Sequence, residues 1–573
     1  MAFKALRMAT LLGVCGAFFF ALAQESRLRP DGRILVTGGR AEPGTQTGSL
    51  PESASVKGSV FDAVTGEPVA KVRLVLAGVD IARIDYSTAS DASGRFRFTD
   101  VAPGRYRLWA SKNRYARLAY GKRRNDGLGA ILTLGPGQEV TGLVLKIVPA
   151  AVITGRVLDE DGEPVAFAQV DVLRYRYVNG ERRLRAVSRG ARTNDLGEYR
   201  LFGLAPGRYY VSVSYGGGRG GFRFRRGRED SPERSRAYPR LYYPGVPDPA
   251  QAVALEIKAG EERQGIDFRL TPMTAVRVSG RVHGGAGRVI VALRREGEPS
   301  WRTRGPLTIA DRKTGEFAIG GVLPGTYLLE AVAAEGDVRR FARLPLTVAN
   351  DDVRDLVLEL RPGVNVSGRV GLDSDGPPTV LQKIRVALSP ASGSPFFQGR
   401  GGRVDREGRF EIREVGPGRY RVDVSGIPDT AYLASVTLEG RDVLERGLEV
   451  PEGGVAGLEV AIGLQGGVVT GAVRDEDGKP VLGASVVLAP AAERRYRLDL
   501  FKSVTTDQYG RFLIEGVAPG EYKIFAFDDV ESGAWRAPEF LEQWDDSGQE
   551  IELEKGGRQA VELELITLSP EER

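Results

Sequence analysis

Few residues in this chain of 573 could do chemistry on their own. There is one histidine, His283, and one cysteine, Cys15. A Ser-His-Asp triad would have to use His283, and no second imidazole stands by for a His-rich metal site. Cys15 falls in a leader-like segment, so the rest of the chain has no thiol. That excludes a cysteine nucleophile, a disulfide framework and thiolate zinc. His283 opens the run His283-Gly284-Gly285-Ala286-Gly287 and reads as a turn residue. Carboxylates remain. Asp159-Glu160-Asp161-Gly162, Asp373-Ser374-Asp375-Gly376 and Asp475-Glu476-Asp477-Gly478 look like fragments of a calcium loop without its other ligands. Hairpin-turn chemistry explains them equally well. A carboxylate pair in a deep pocket would do acid/base work without histidine. Only Arg219–Arg240 departs from the repeat far enough to build one. The expectation is a non-enzymatic protein with no catalytic residue, no metal and no cofactor.

Binding chemistry is better represented. Arg219–Arg240 holds eight Arg and three acids, and Phe222, Phe224, Tyr238, Tyr242 and Tyr243 interleave or flank it. Arg219, Arg223, Arg225, Arg226 and Arg228 with these rings could take an anionic glycan, lipopolysaccharide or single-stranded nucleic acid by charge and stacking. The plainer reading is a solvated loop that starts at Gly216-Gly217-Gly218. Arg114, Arg117, Lys122, Arg123 and Arg124 form a smaller basic group in the matching loop of the first unit. Trp109, Phe525 and Phe527 point away from the apolar face of their strands, either as sugar-stacking platforms or as packing surface. Trp301, Trp535 and Trp544 join the candidates for such platforms. Without Lys4 and Arg7 the chain has 78 basic and 75 acidic residues, a net of +3. Near-neutrality and export argue against nucleic acid.

The elements that must position these residues come from an internal repeat. Five units open on Gly58-Ser59-Val60, Gly155-Arg156-Val157, Gly280-Arg281-Val282, Gly368-Arg369-Val370 and Gly471-Ala472-Val473. Four then carry an acid and a Gly-x-Pro turn: Gly66-Glu67-Pro68, Gly162-Glu163-Pro164, Gly376-Pro377-Pro378 and Gly478-Lys479-Pro480. An Asp-x-x-Gly-x-aromatic turn follows at Asp91/Gly94/Phe96, Asp195/Gly197/Tyr199, Asp311/Gly315/Phe317, Asp405/Gly408/Phe410 and Asp507/Gly510/Phe512. The second is one residue short and the third one long. Nine residues after each Gly comes Pro-Gly-x-Tyr, ending on Tyr106, Tyr209, Tyr327, Tyr420 and Tyr522. In it Pro fixes φ and Gly is expected in the αL position. Strict alternation follows, as in Tyr106, Leu108 and Ala110, so these are half-buried strands. Short closing strands are expected at 143–148, 266–270, 356–360, 458–462 and 561–565. Turns every 8–12 residues and no helix beyond a turn or two give an all-β fold of tandem Greek-key sandwiches.

Residues 1–23 read as a signal peptide, with Lys4 and Arg7 before an apolar run and Ala21-Leu22-Ala23 before Gln24. A lipoprotein reading would use Cys15, with Val14 in place of a small residue. No later segment approaches a membrane span. A linker at 24–54 leads to sandwiches at 55–150, 151–273 with an Arg-rich loop at 216–250, 274–362, 363–465 and 466–567, and then a tail at 568–573. Short linkers predict a semi-rigid rod on the order of 150–200 Å long.

The Gly-x-Val, Gly-x-Pro, Asp-x-x-Gly-x-Phe and Pro-Gly-x-Tyr series resembles the carboxypeptidase regulatory-like domain over nearly all of 55–567. The resemblance implies a transthyretin-like, seven-stranded sandwich, grouped with Cna-B-like and carbohydrate-binding-like folds. In zinc carboxypeptidases this module accompanies the catalytic domain and does not cleave peptides, and no His-x-x-Glu occurs here. Multi-copy secreted chains of this kind resemble proteins of soil Gram-negative bacteria. The implied place is periplasmic, outer-membrane-associated or extracellular. The implied partner is a polysaccharide or an envelope protein. A purely structural surface spacer or adhesion module is the alternative. Cna-B-like domains can carry a Lys–Asn isopeptide bond from a first-strand Lys. These strands read Ser59-Val60, Arg156-Val157, Arg281-Val282, Arg369-Val370 and Ala472-Val473, so the bond is not expected.

Overall fold

The computed structural model describes residues 52–568, apart from 80–84, 123–128, 188–189, 216–235, 286, 296–305, 337, 375, 392–393, 395–396 and 398–400. Each repeat sets its Gly-x-Val strand between an antiparallel neighbour and a parallel one. In the first, Ala54–Asp62 runs between Arg95–Val101, antiparallel, and Glu139–Ile147, parallel. Val276–His283, Val364–Leu372 and Gly467–Arg474 are placed the same way in the third, fourth and fifth. In the second, Ala151–Leu158 has a broken parallel partner, Glu262–Arg263 and Phe268–Arg269. The closing strand is therefore parallel to the opening one. A parallel pair needs a crossover, and the whole second sheet of each sandwich serves as that crossover.

The motif glycine explains this register. A Cβ on Gly280 would lie 2.0 Å from the Leu356 carbonyl oxygen of the closing strand. At Gly368 it would lie 2.0 Å from Leu458 O and 2.7 Å from the ring of Phe410, the aromatic of Asp-x-x-Gly-x-Phe. Three motif segments thus meet at one backbone point that admits no side chain.

The second sheet pairs the strand after the Gly-x-Pro turn with the Pro-Gly-x-Tyr strand. Arg73–Gly78 pairs antiparallel with Gly104–Ser111, and Ser485–Pro490 with Gly520–Phe527. Residues facing inward from both sheets form one core per sandwich. In the first these include Val56, Leu74, Phe96, Tyr106, Leu108 and Leu145. The motif tyrosine is pinned at both ends. Its ring is buried, and its hydroxyl donates to the carbonyl four residues back: Tyr106 to Ala102 at 2.6 Å, Tyr209 to Ala205 at 2.7 Å and Tyr327 to Leu323 at 2.7 Å. Tyr420 reaches Gly416 at 2.6 Å and Tyr522 reaches Ala518 at 2.9 Å. A neutral buried phenol thus satisfies a carbonyl just before the Pro-Gly turn.

Three local expectations change. The Pro-Gly glycines are not αL: their φ values run from 134° at Gly520 to 157° at Gly104, a region essentially closed to other residues. The second Asp-turn is not short. Asn194, not Asp195, accepts from the amides of Leu196 (3.1 Å) and Glu198 (2.8 Å), which restores the regular Asx-x-x-Gly197 spacing. Finally, the first strand does carry a lysine. Lys57 lies on Ala54–Asp62, one residue before the motif, and its ammonium pairs with the Glu139 carboxylate. Its partner is a glutamate on a half-exposed surface, which is ion-pair chemistry.

Candidate functional site

The acidic turns are occupied by their own backbones. Asp91 accepts from the amides of Ser93 (2.8 Å) and Arg95 (2.9 Å), and Asp405 from Glu407 (3.0 Å) and Arg409 (2.7 Å). Asp159 and Asp475, in the calcium-like fragments, do the same with Glu163 and Lys479, each at 2.8 Å. Asp373 departs from this pattern. It accepts from the Leu464 amide at 2.9 Å and pairs with Lys555 of the fifth sandwich at 2.7 Å. Among the described residues, no group of three or more His, Cys, Asp or Glu could hold a metal ion. Likewise no helix is long and apolar enough to cross a membrane. His283 ends the strand Val276–His283, and its carbonyl accepts from Leu360 N at 2.9 Å.

Arg219, Arg223, Arg225, Arg226 and Arg228 lie outside the described residues, as does Trp301. Trp109 is half-buried on Gly104–Ser111, and the Arg117 guanidinium covers its ring at 4.5 Å from the centroid. The expected tryptophan and one member of the expected basic loop are therefore brought together.

Phe525 and Phe527 correct the platform reading. They do point away from the Tyr522 core, but they are 1% and 0% exposed. Their rings lie parallel, 5.8 Å apart, in a second core. A segment peculiar to the fifth unit covers them, with Val530, Ala534, Trp535, Phe540 and Leu541 buried upon them. That segment includes the helix Pro538–Trp544. Tyr177 of the second sandwich packs on the same cluster. Rings sealed in this way cannot stack on a sugar. The aromatic spacing of Trp535, Phe540 and Trp544 was the signal for this cover.

The fifth sandwich holds several others. Across its contact with the first, Thr133 N donates to Gln508 Oε1 at 3.0 Å and Gln508 Nε2 donates back to Thr133 O at 2.7 Å. Thr505 Oγ1 reaches Gly129 O at 2.8 Å and Lys122 Nζ reaches Ser485 Oγ at 2.8 Å. Gly483 abuts Gly121 so closely that a Cβ on it would lie 2.1 Å from the Gly121 oxygen. Toward the fourth, the buried Arg497 donates to Leu433 O at 2.8 Å. Toward the second, Arg176 faces Glu531 at 3.8 Å. The rod expectation fails here. Its first and last beads touch, through the motif aspartate Asp507, which accepts from Thr133 Oγ1 at 3.1 Å, and through side chains outside the motifs.

The third and fourth sandwiches enclose a groove of about 360 Å³. It lies between Val338–Val348 and the edge strand Val353–Glu359 of the third, and Phe397, Pro417 and Glu452 of the fourth close it. Arg343, which lines it, donates from Nη2 at 3.3 Å to the buried Glu330, which also accepts from Ser394 Oγ at 2.7 Å. The Arg343 guanidinium lies 4.0 Å from the centroid of the Phe397 ring.

Comparison with known proteins agrees with this plan. Residues 55–141, 152–223 and 468–565 match the family model of the carboxypeptidase regulatory-like domain. No curated protein matches the chain. Solved structures similar to parts of it include the minor pilin GBS52 of Streptococcus agalactiae, at 13% identity over 39% of this chain and 97% of that one, TM-score 0.22. The shaft pilin SpaA of Lactobacillus rhamnosus GG is 12% identical over 39% and 98%, TM-score 0.18. The Bacillus anthracis TIE protein is 11% identical over 73% and 75%, TM-score 0.14. Scores this low carry no argument about function. The first, second and fifth sandwiches of this chain thus carry the matches to the carboxypeptidase regulatory-like domain, and the third and fourth share with them a Gly-x-Val strand set between an antiparallel and a parallel neighbour.

Proposed function

We infer that this chain is a non-enzymatic, multidomain scaffold of the cell envelope that binds polysaccharide. The observation that carries the scaffold reading is the reciprocal Thr133–Gln508 pair, which joins sandwiches 375 residues apart in sequence. Fixing domains at a set spacing is what a scaffold needs and what a flexible string of modules lacks. The turn carboxylates that could have served acid/base chemistry are engaged as backbone acceptors. Export rests on the leader sequence of residues 1–23. Polysaccharide as ligand rests on the half-buried Trp109 with Arg117 on its ring, and on the Arg-rich sequence of 219–240.

The test is binding of the chain from Gln24 to a panel of neutral and anionic polysaccharides, beside a version lacking Gly216–Arg240 and a Trp109→Ala variant. Saturable binding weakened by Trp109→Ala supports the sugar site. Binding only to anionic chains, lost with the loop and with added salt, assigns the ligand to the Arg cluster. No binding to any member overturns the polysaccharide reading and leaves the scaffold alone.

A further inference from the structure

We propose that the outer edge of Val353–Glu359 in the third sandwich is a docking site for an extended segment of a separate protein partner. That segment would pair antiparallel to it with alternating apolar and basic side chains. The argument begins with the hydrogen-bonding direction of this strand. Leu356 O faces Gly280, and Leu360 N donates to His283 O at 2.9 Å. Even-numbered residues therefore turn their amides and carbonyls to the Gly-x-Val strand, and Val357 and Glu359 turn theirs outward. Among the described residues the strand ends its sheet, with no neighbour on that side. Val357 is a large apolar residue with 55% exposure on this edge.

The fourth sandwich shows what fits such an edge. Its closing strand, Val455–Gly463, occupies the same place, since Leu458 faces Gly368 as Leu356 faces Gly280. There the edge is covered: Tyr432–Leu438 runs antiparallel along it, with Val436 opposite Val460 and Thr437 opposite Glu459. Val436 is buried by this pairing. Transferred to the third sandwich, the pattern sets an apolar residue opposite Leu358 and another opposite Leu356. These would point into the groove beside Phe341 and Leu344. The groove is flanked by the unpaired backbone edge of Val353–Glu359, a setting suited to an extended chain.

Charge selects the occupant. Glu359 and Asp355 are exposed on the outer face, on either side of Val357. Directly opposite residues of an antiparallel pair share a face, so basic residues there are favoured and acidic ones disfavoured. Two-fold pairing of this strand with a second copy through Val357 would set Asp355 against Glu359, which disfavours self-association. The chain's own Tyr432–Leu438 is followed by Glu439, which would fall near Asp355.

The probe is a peptide of residues 432–441 carrying Ser435→Lys and Glu439→Lys, added to the chain from Gln24. Fluorescence anisotropy is expected to show saturable binding, about tenfold tighter than for the unsubstituted peptide. Hydrogen exchange should slow at the Val357 and Glu359 amides. Glu359→Lys in the protein should weaken the Lys peptide about fivefold and improve binding of a peptide carrying Ser435→Glu instead. Val357→Pro, which removes an outward donor, should abolish binding. Absence of saturable binding with unchanged exchange at 357 and 359 overturns the proposal and marks Asp355 and Glu359 as guards against edge pairing. Concentration-dependent dimerisation lost in Val357→Pro would overturn it too, in favour of a second copy. The polysaccharide panel reads none of these quantities, so the two readings fail separately.

Discussion

The hydroxyl of Tyr420 donates to the carbonyl of Gly416 at 2.6 Å, across the Pro417-Gly418 turn that separates them. The same bond recurs in all five sandwiches, so the Pro-Gly-x-Tyr motif is a structural latch. Replacing Tyr420 by Phe leaves the ring and strands a buried carbonyl. The expected cost is about 1–2 kcal/mol, read by urea unfolding, with no change of fold. A loss under about 0.3 kcal/mol would show that water takes over the acceptor.

Burial pushes the phenols of Tyr106, Tyr420 and Tyr522 up to about 12, because the anion would be desolvated. The folded value lies above the ordinary one near 10. Their stabilising contribution is therefore complete below about pH 10 and lost as pH rises toward 12. Stability measured between pH 9 and 12 should fall steeply. A triple Tyr→Phe variant should be less stable at pH 9 and show a shallower fall.

The motif glycine and its bulge neighbour should respond oppositely. Gly280→Ala would drive a Cβ to 2.0 Å from Leu356 O, and should destabilise by about 3 kcal/mol. Asp355, next to Leu356, has φ of 56°, where the corresponding first- and fourth-sandwich residues, Gly142 and Gly457, have 73° and 80°. Asp355→Gly should therefore stabilise by about 0.5–1 kcal/mol. Thermal unfolding of the two variants checks both signs.

Gly483→Ala targets the junction of the first and fifth sandwiches. Each sandwich should stay folded, because Gly483 meets Gly121 of its neighbour across that junction. Amide exchange of Ile131 and Thr133 should accelerate at least tenfold while Tyr106 and Tyr522 stay protected. Unchanged exchange at Thr133 would mean that the junction has room to adjust.

Much of the fold was legible in the sequence because the repeat carries it. Gly-x-Val, Asp-x-x-Gly-x-aromatic and Pro-Gly-x-Tyr mark backbone positions with steric or hydrogen-bonding demands, and those demands hold in any sandwich. Asn194 was not legible as the turn acceptor because Asp195 stands beside it and an amide oxygen does the work of a carboxylate. The junctions were not legible. Thr133 on a short strand, and Gln508 and Gly483 in turns, are ordinary residues whose partners lie hundreds of residues away. Alternation sets Phe525 and Phe527 on the face opposite Tyr522, but it names a face and not what covers it. The cover, from Val530 to Trp544, belongs to the fifth unit alone. Trp109 and Arg117 were separate candidates in sequence and meet only in the fold.

The central claim is that the fifth sandwich holds the first at a fixed place, so that the chain is a scaffold and not a string. Small-angle scattering of residues 51–573 tests it most directly. The account predicts a radius of gyration below about 35 Å, unchanged between low and high salt, since a compact chain of this length lies near 24 Å. A value of about 45–55 Å, as for a rod on the order of 150–200 Å long, would contradict it.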